Sequence, residues 1–335
     1  MGDMYTPPFV MTEEITNLVI EIGEQVGAVA AFDTLQPTPR LRRESRVKSI
    51  HSSLAIEQNT LTLHQVTDVI DGKTVLGPPR DIREVKNAYE AYERMSALDP
   101  YSVKNLLLAH KIMMDGLVKE AGCFRGGNVG VYAGEQLIHA GSPANYVPDL
   151  IRQLFDWMRS TKLHPLVKSC IFHYEFEFIH PFADGNGRIG RLWQSLILQK
   201  WKDFFAWMPI ETLIHEKQEG YYKALNASNS AGESTIFVVF MLGVIRDALR
   251  NVVEGQNISY NVGANVGINV GVNVSTNEEK VRMLLMQDSK LTAKTLASTL
   301  GLTDRQIERI LSKLKADGKI VRHGASKNGY WEVCN

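Results

Sequence analysis

Apolar residues recur at helical spacing through most of the first 255 positions. Residues 12–32 place Ile15, Leu18, Val19, Ile22, Val26 and Ala30 on one face behind Thr12 and an acidic first turn, which predicts a scaffold helix. Ile50 to Asn59 reads as a helix ending in a polar turn, and Thr62 with Gln65 forms a capping box that opens the next helix. Residues 81–98, with Tyr89, Tyr92 and Met95, and residues 101–120, with Leu106, Leu107, His110 and Met113, are two more amphipathic helices that turn those side chains to the core. The period changes across residues 124–141, where alternation around a glycine turn predicts a short β-hairpin. Helix resumes from Val147 to Met158. Cys170 to Ile179 is aromatic and apolar, the end of a buried helix, and Leu192 to Leu198 begins another. A long apolar helix over Phe237 to Val253 closes this part, while the basic stretch Pro37 to Lys48 is read as a solvated connection.

Beyond it the pattern breaks. Asn-Val-Gly recurs every four residues from Asn261 to Val274, so residues 256–275 are expected to be a linker. Residues 276–335 regain order: a helix opening at Asn277, a second over Thr292 to Leu300, and a third begun by a Thr303–Gln306 capping box with Ile307, Ile310, Leu311 and Leu314 inward. Strands at Ile320–Arg322 and Gly329–Val333 finish it as a hairpin.

Composition adds boundaries rather than function. The 335 residues are 44% hydrophobic and 22% charged with zero net charge, an ordinary globular balance that gives no overall field for nucleic acid or acidic lipid. From Thr276 onward 11 Lys and Arg face 7 Asp and Glu, so that part carries +4 and the remainder −4. Cys123, Cys170 and Cys334 lie far apart in no metal-ligand spacing, which fits a reducing cytoplasm. There is no apolar run of about eighteen residues and no basic-then-apolar leader, so no membrane association is expected.

The chemistry concentrates in His180-Pro181-Phe182-Ala183-Asp184-Gly185-Asn186-Gly187-Arg188-Ile189-Gly190-Arg191. Its glycines lie in a loop that opens a helix, where free backbone N–H groups and the positive end of a helix dipole form a ready phosphate site. Gly185 and Gly187 allow close approach and Asn186 offers a side-chain donor. Arg188 and Arg191 share a helical face and suit neighbouring phosphates. Asp184 is a hard oxygen ligand for Mg²⁺ on a polyphosphate. His180 is the base suited to neutral pH. Any one of these residues is ordinarily structural, but twelve together point to nucleotide chemistry. His173, seven residues before His180, has no third ligand at metal spacing and is read as a packed core histidine.

The stretch resembles the signature of the Fic family, His-x-Phe-x-Asp/Glu-Gly-Asn-Gly-Arg-x-x-Arg, at every specified position. The resemblance implies a mostly α-helical Fic catalytic domain over residues 1–255 and transfer of AMP from MgATP to a Ser, Thr or Tyr hydroxyl of a target protein or of the chain itself. It makes His180 the base, Asp184 the Mg²⁺ ligand, Gly185, Asn186 and Gly187 the anion cradle, Arg188 the catalytic cation on the leaving phosphates, and Arg191 the γ-phosphate contact. Ser53 and Glu57 resemble the family's inhibitory motif, Ser/Thr-x-x-x-Glu-Gly/Asn, with the carboxylate pairing with Arg191 in place of the γ-phosphate. Gln58 departs from that motif. Because glutamine disfavours the left-handed turn that glycine or asparagine would allow, the helix is expected to end differently and hold Glu57 less firmly.

In the family a hairpin flap at residues 124–141 holds the target as an added strand, and Tyr221 and Tyr222 fall near where such proteins wall the adenine. Residues 276–335 resemble a winged helix-turn-helix, whose third helix bears Arg305, Gln306, Arg309 and Lys313 and suits DNA or a protein partner. A homodimer is also compatible with this organisation. The alternatives are a nucleotide-sensing DNA-binding regulator, which would need no base at His180, and a Fic enzyme that mainly removes AMP with the help of Glu57.

Overall fold

A computed structural model describes residues 5–31, 39–133, 136–263, 278, 281–282, 284–285, 289, 291–300, 302–323 and 330–333. The chain divides into two compact units, Met1–Gln256 and Asn257–Asn335.

The first unit is built around α7 (Pro165–Ile179), in which Leu166 through Phe176 are buried without a break. A helix apolar on every side must be surrounded. α8 (Asn186–Trp201) packs directly along it, and the rings of Phe155, Phe172, Phe176 and Trp193 fill the space between neighbouring helices. Around this pair stand α1 (Glu13–Ala31), α2 (Pro39–Ile56), α3 (Leu63–Ile70), α4 (Pro79–Arg94), α5 (Val103–Met113), α6 (Val147–Ser160), α9 (Ile210–Glu216), α10 (Gln218–Ala231) and α11 (Thr235–Gly263). The antiparallel hairpin β1 (Gly130–Ala133) and β2 (Gln136–Ala140) lies between α5 and α6, with Gly130 opposite Ala140 and a bulge between Val131 and Tyr132.

Several expectations hold in detail. Ile15, Leu18, Ile22 and Val26 of α1 are buried, and the Thr62–Gln65 capping box forms reciprocally at the start of α3. Three helix boundaries need correction. Pro37–Lys48 is not merely a connection, because α2 begins at Pro39: a proline at the first helical position, a run of good helix formers, and Val47, Ile50 and Leu54 on one buried face make it a helix. α5 stops at Met113 rather than continuing to residue 120, since Gly116 takes a positive φ of 68° and the chain turns away. α11 passes Gly255 and ends at Gly263, so the first eight positions of the expected linker are helical; residues 264–277, with most of the Asn-Val-Gly repeat, lie outside the described residues.

The second unit contains α12 (Ala293–Leu300), α13 (Asp304–Ala316) and the antiparallel pair β3 (Ile320–His323) and β4 (Tyr330–Val333). Leu296, Ile307, Leu311, Leu314, Ile320 and Trp331 form its core, and the Thr303–Gln306 capping box is present.

The end of α2 is the most informative local feature. Gln58 adopts φ +66°, its N–H donates to the Ala55 carbonyl at 3.0 Å, and the Asn59 N–H donates to the Leu54 carbonyl at 3.1 Å. These are the paired bonds of a Schellman cap, and the left-handed residue that closes it is ordinarily glycine. The expectation that glutamine would end the helix differently is therefore overturned: the tertiary contacts of Asn59, whose amide reaches the Asp81 carbonyl and the Glu84 carboxylate, hold the turn in spite of the side chain. A left-handed residue with a Cβ costs about 1–2 kcal/mol, part of which glycine returns as chain entropy. Gln58→Gly should accordingly stabilise the first unit by about 0.5–1 kcal/mol, raising its melting temperature by about 2 °C. An unchanged or lowered melting temperature would show that the glutamine is not strained.

Candidate active site

α7 ends at Ile179 because the next residue precedes proline, and that position disfavours the right-handed helix. His180 instead takes the left-handed conformation, φ +53° and ψ +63°, which carries its ring out of the helix line. Strained backbone of this kind at a non-glycine residue is a mark of functional sites. The ring Nδ1 lies 3.3 Å from the Glu177 carbonyl oxygen. A carbonyl only accepts, so Nδ1 carries the hydrogen and Nε2 is the basic nitrogen.

The loop that follows is held by its own backbone. Phe182 is buried and stacks face to face on His110, with ring centroids 3.6 Å apart. His110 Nδ1 accepts from the Gly122 N–H at 2.9 Å while Nε2 donates to the Asp184 carbonyl at 3.0 Å, a pair of bonds that only the neutral ring can make. Burial also pushes its pKa down to about 4. Asn186 accepts from the Phe182 N–H and donates to the Phe182 carbonyl, both at 2.9 Å. Its amide is thus committed to closing the loop and is not the side-chain donor expected for an anion; what Asn186 offers is its backbone N–H.

Gly185, at φ +87°, precedes the first turn of α8; its own N–H donates to Asp184 Oδ1 at 2.6 Å, and as the N-cap it offers no side chain to the N–H groups that follow. The open N–H groups and the helix dipole face the same place. A Cβ on Gly187 would lie 2.3 Å from Glu57 Oε1 and 2.9 Å from Arg191 Nη1, so the space over this helix end exists because residue 187 is glycine, and the Glu57 carboxylate occupies it.

Arg191 is the buried charge of the site, with 1% of its side chain exposed. Its Nε donates to Ser53 Oγ and its Nη2 to the Ser53 carbonyl, each at 3.0 Å, while Nη2 also donates to Glu57 Oε1 at 2.8 Å. Burial alone would lower its pKa, but the Glu57 carboxylate raises it further, so the cation is firmly kept. Ser53, Glu57 and Arg191 meet as expected, with a single carboxylate oxygen engaged.

Arg188 donates to Glu84 Oε1 at 3.1 Å and to Asp184 Oδ1 at 2.7 Å, and its buried Nε has no partner among the described residues. Asp184 Oδ2 accepts from Arg80 at 3.0 Å. Glu84, Arg80, Asn59 and His110 were not singled out as functional from sequence. Glu84 had a usable signal: it shares the inward face of α4 with Asn87, Ala88 and Ala91, where an acid without a task would be costly. The donor set at Asp184 fits Mg²⁺ in the way a nucleotide site requires, one accessible carboxylate completed by phosphate oxygens. Among the described residues no group of three or more His, Cys, Asp or Glu could hold a metal on its own.

The two tyrosines separate. Tyr221 is buried and its hydroxyl donates to His173 Nε2 at 3.0 Å, so its ring belongs to the core and cannot wall an adenine; this corrects the expectation. His173 is fully buried, also donates through Nδ1 to Gln194 at 2.6 Å, and is neutral, with burial pushing its pKa down to about 3. Tyr222 is 43% exposed and near enough to Glu57 for the carboxylate to add to the rise that burial gives its pKa.

A profile of the Fic/DOC family matches residues 98–198. The crystal structure of a Fic family protein from Desulfovibrio desulfuricans G20 superposes with a TM-score of 0.72, at 46% identity over 98% of both chains. The chain belongs to the Fic family. It is 29% identical over 214 residues to protein adenylyltransferase fic-1 of Caenorhabditis elegans, covering 59% of this chain and 40% of that one. It is 29% identical over 204 residues to a probable protein adenylyltransferase of Aquifex aeolicus (strain VF5), covering 57% and 55%. The chain spans about half the length of the curated relatives it matches.

The buried ionisable groups behind the site fix how stability varies with pH. Burial pushes Glu177 up to about 8, with Arg191 opposing, and pushes Glu175 up to about 7; both begin from 4.5 in the open chain. Folding takes up their protons, so stability falls as pH rises from 4.5 towards 8. His110 and His173 act oppositely: they stay neutral on folding but charge near 6.5 when unfolded, so stability falls as pH drops below 6.5. The two pairs offset each other between about 4.5 and 6.5, leaving a decline on the alkaline side that Glu175 and Glu177 cause. Glu177→Gln should flatten the fall in melting temperature between pH 6.5 and 8. A variant that declines as steeply as the parent would mean that Glu177 ionises as an ordinary carboxylate.

Proposed function

We propose that the chain is a protein adenylyltransferase that transfers AMP from MgATP to a Ser, Thr or Tyr hydroxyl of a target protein or of itself, and that Glu57 restrains it. The observation that carries this reading is the left-handed His180 turn beside an uncapped helix end furnished with two buried arginines. The names of the curated relatives support it. In this mechanism His180 Nε2 takes the proton as the hydroxyl oxygen bonds to the α-phosphorus, and the bond to the bridging oxygen breaks to release pyrophosphate. The N–H groups of Gly185, Asn186 and Gly187 cradle phosphate oxygens, Arg188 stabilises charge on the departing pyrophosphate, and Arg191 binds the γ-phosphate. Tyr222 is the aromatic left to flank the base. Asp184 would hold Mg²⁺, which supplies charge neutralisation on the polyphosphate when bound.

Glu57 restrains this reaction by holding the γ-phosphate position with a like charge. ATP then binds with its tail displaced and its α-phosphorus out of line. The C-terminal unit is proposed as a winged helix-turn-helix module joined by the Asn-Val-Gly segment, and the exposed Arg305, Gln306 and Arg309 of α13 support its docking to DNA or a protein. A cytoplasmic location accords with the cysteine usage; among the described residues no helix is long and apolar enough to cross a membrane.

Incubation with ATP labelled at either the α or the γ position decides the chemistry. Protein label should come from the α position alone; label from the γ position would mean phosphorylation instead. Glu57→Gly should raise the rate about tenfold at saturating MgATP, since a charged hydrogen bond contributes on the order of 1.5–3 kcal/mol, and equal rates would make Glu57 a bystander. His180→Ala should lower transfer by about 10²–10⁴ while ATP binding, followed by calorimetry, stays near the parent value. Transfer at the parent rate would remove His180 from its role.

A further inference from the structure

We propose that Arg125 is a positioning residue that locks the His180 turn to both roots of the β1–β2 hairpin, so that whatever strand the hairpin holds is presented in register with the base. The inference rests on the adenylyl-transfer reading for its catalytic consequence, though not for its structural content.

Arg125 precedes the hairpin and is 3% exposed, yet among the described residues its guanidinium meets no carboxylate. Instead Nε donates to the His180 carbonyl at 2.6 Å, Nη1 to the Gly127 carbonyl at 2.8 Å, and Nη2 to the carbonyls of Ser142 and, at 3.3 Å, Ile179. Its own backbone N–H donates to the Pro181 carbonyl at 3.0 Å. Three consecutive carbonyls of the catalytic turn, 179 to 181, are thereby held by one residue. The other two accepted bonds come from the entry and exit of the hairpin, whose root is closed by the Gly141 N–H on the Val129 carbonyl at 3.0 Å.

The chemistry suits the task. The last carbonyls of α7 carry the negative end of its dipole and have no intrahelical partner, so a buried cation there satisfies them. Only a planar fork with several N–H donors can reach four carbonyls at once; a lysine offers one point of charge and cannot. Gly141 shows how tightly the fork is enclosed, because a Cβ on it would stand 3.1 Å from Arg125 Nη2. The His180 carbonyl is the one that matters for the reaction. Its orientation sets ψ of His180, and with the left-handed φ that angle aims the ring.

Hydrogen exchange and transfer rates together test this. In full-length Arg125→Lys, amides of residues 178–184 and of residues 127–142 should both exchange about tenfold faster, while those of residues 192–198 in α8 keep the parent rate. In a Glu57→Gly background the same substitution should lower the transfer rate by about a hundredfold, the effect of a misplacement of about 1 Å, with the half-saturating MgATP unchanged. Loosening of only one of the two segments, or of neither, overturns the coupling. Coupled exchange with an undiminished transfer rate overturns its catalytic consequence. If the Glu57→Gly parent itself transfers nothing, the adenylyl reading fails while exchange still decides the role of Arg125. Should Arg125→Lys loosen the whole chain, Gly141→Ala serves instead, since its methyl presses on the fork and leaves Arg125 in place. Faster exchange at residues 178–184 in that variant supports the proposal, and a change confined to the hairpin refutes it.

Discussion

A buried guanidinium that cannot lose its proton governs the arrangement of the first unit. Arg191 lies one turn into α8 with almost no contact with water, and leaving such a charge unpaired costs several kcal/mol. An anion must therefore stand beside it in every populated state. Here the anion is Glu57, and its position dictates the rest: α2 must reach the helix end, Ser53 must face Arg191 with both hydroxyl and carbonyl, and residue 187 must lack a side chain. Under the proposed function the same requirement serves nucleotide binding, since a phosphate is the anion that would replace Glu57 beside Arg191. Filling of the γ-phosphate position and withdrawal of the carboxylate are, on that reading, two views of one exchange, whereas a nucleotide bound with its tail displaced leaves Glu57 in place.

Arg188 obeys a parallel rule with two carboxylates in place of one. Glu84 is buried and fixed, whereas Asp184 is partly exposed and also bonded to Arg80. Were Asp184 to turn to a cation on a bound nucleotide, as the proposed function has it, Arg188 would not become an unpaired buried charge, because Glu84 would remain. The guanidinium would keep its anchor and gain free donors, beside the Nε that has no partner among the described residues. An arginine held by Asp184 alone would have to be reordered during binding, at an entropic cost to catalysis.

Much of this was legible in the sequence. The signature from His180 to Arg191 announced itself because glycines, acid, base and cations seldom share twelve residues without a chemical reason, and the period of apolar residues located the helices on either side. Ser53 and Glu57 came from their resemblance to the family's inhibitory motif, since Glu57 taken alone is only an acid on a helix. The residues that escaped act on backbone rather than on side chains. Arg125 and His110 hold carbonyls, and a carbonyl leaves no trace in an amino-acid pattern; Asn186 was visible but its amide was misread as a ligand contact because its partner is the backbone of Phe182. Tyr221 was misplaced for a related reason. An aromatic pair on a helix shows two rings, and only the three-dimensional neighbourhood of His173 tells which one faces inward.

Under the proposed function, Gln58 bears on how Glu57 would leave. Two routes exist: the turn at the end of α2 unwinds, or the side chain rotates while the turn stays. Unwinding would relieve the left-handed strain, worth about 1–2 kcal/mol. It would also break the two cap bonds and the two bonds from the Asn59 amide to Asp81 and Glu84, each of which contributes about 1 kcal/mol and the last, to a charged group, about 1.5–3. The losses exceed the relief by roughly 2.5–5 kcal/mol. Rotation loses only the single bond to Arg191, and the incoming phosphate restores it. Glu57 is 30% exposed, so water already reaches the path along which its carboxylate would swing. Under the proposed function the strained glutamine would therefore not loosen the restraint: the turn would stay formed, and release would be a matter of one side-chain torsion working against the charge of a nucleotide.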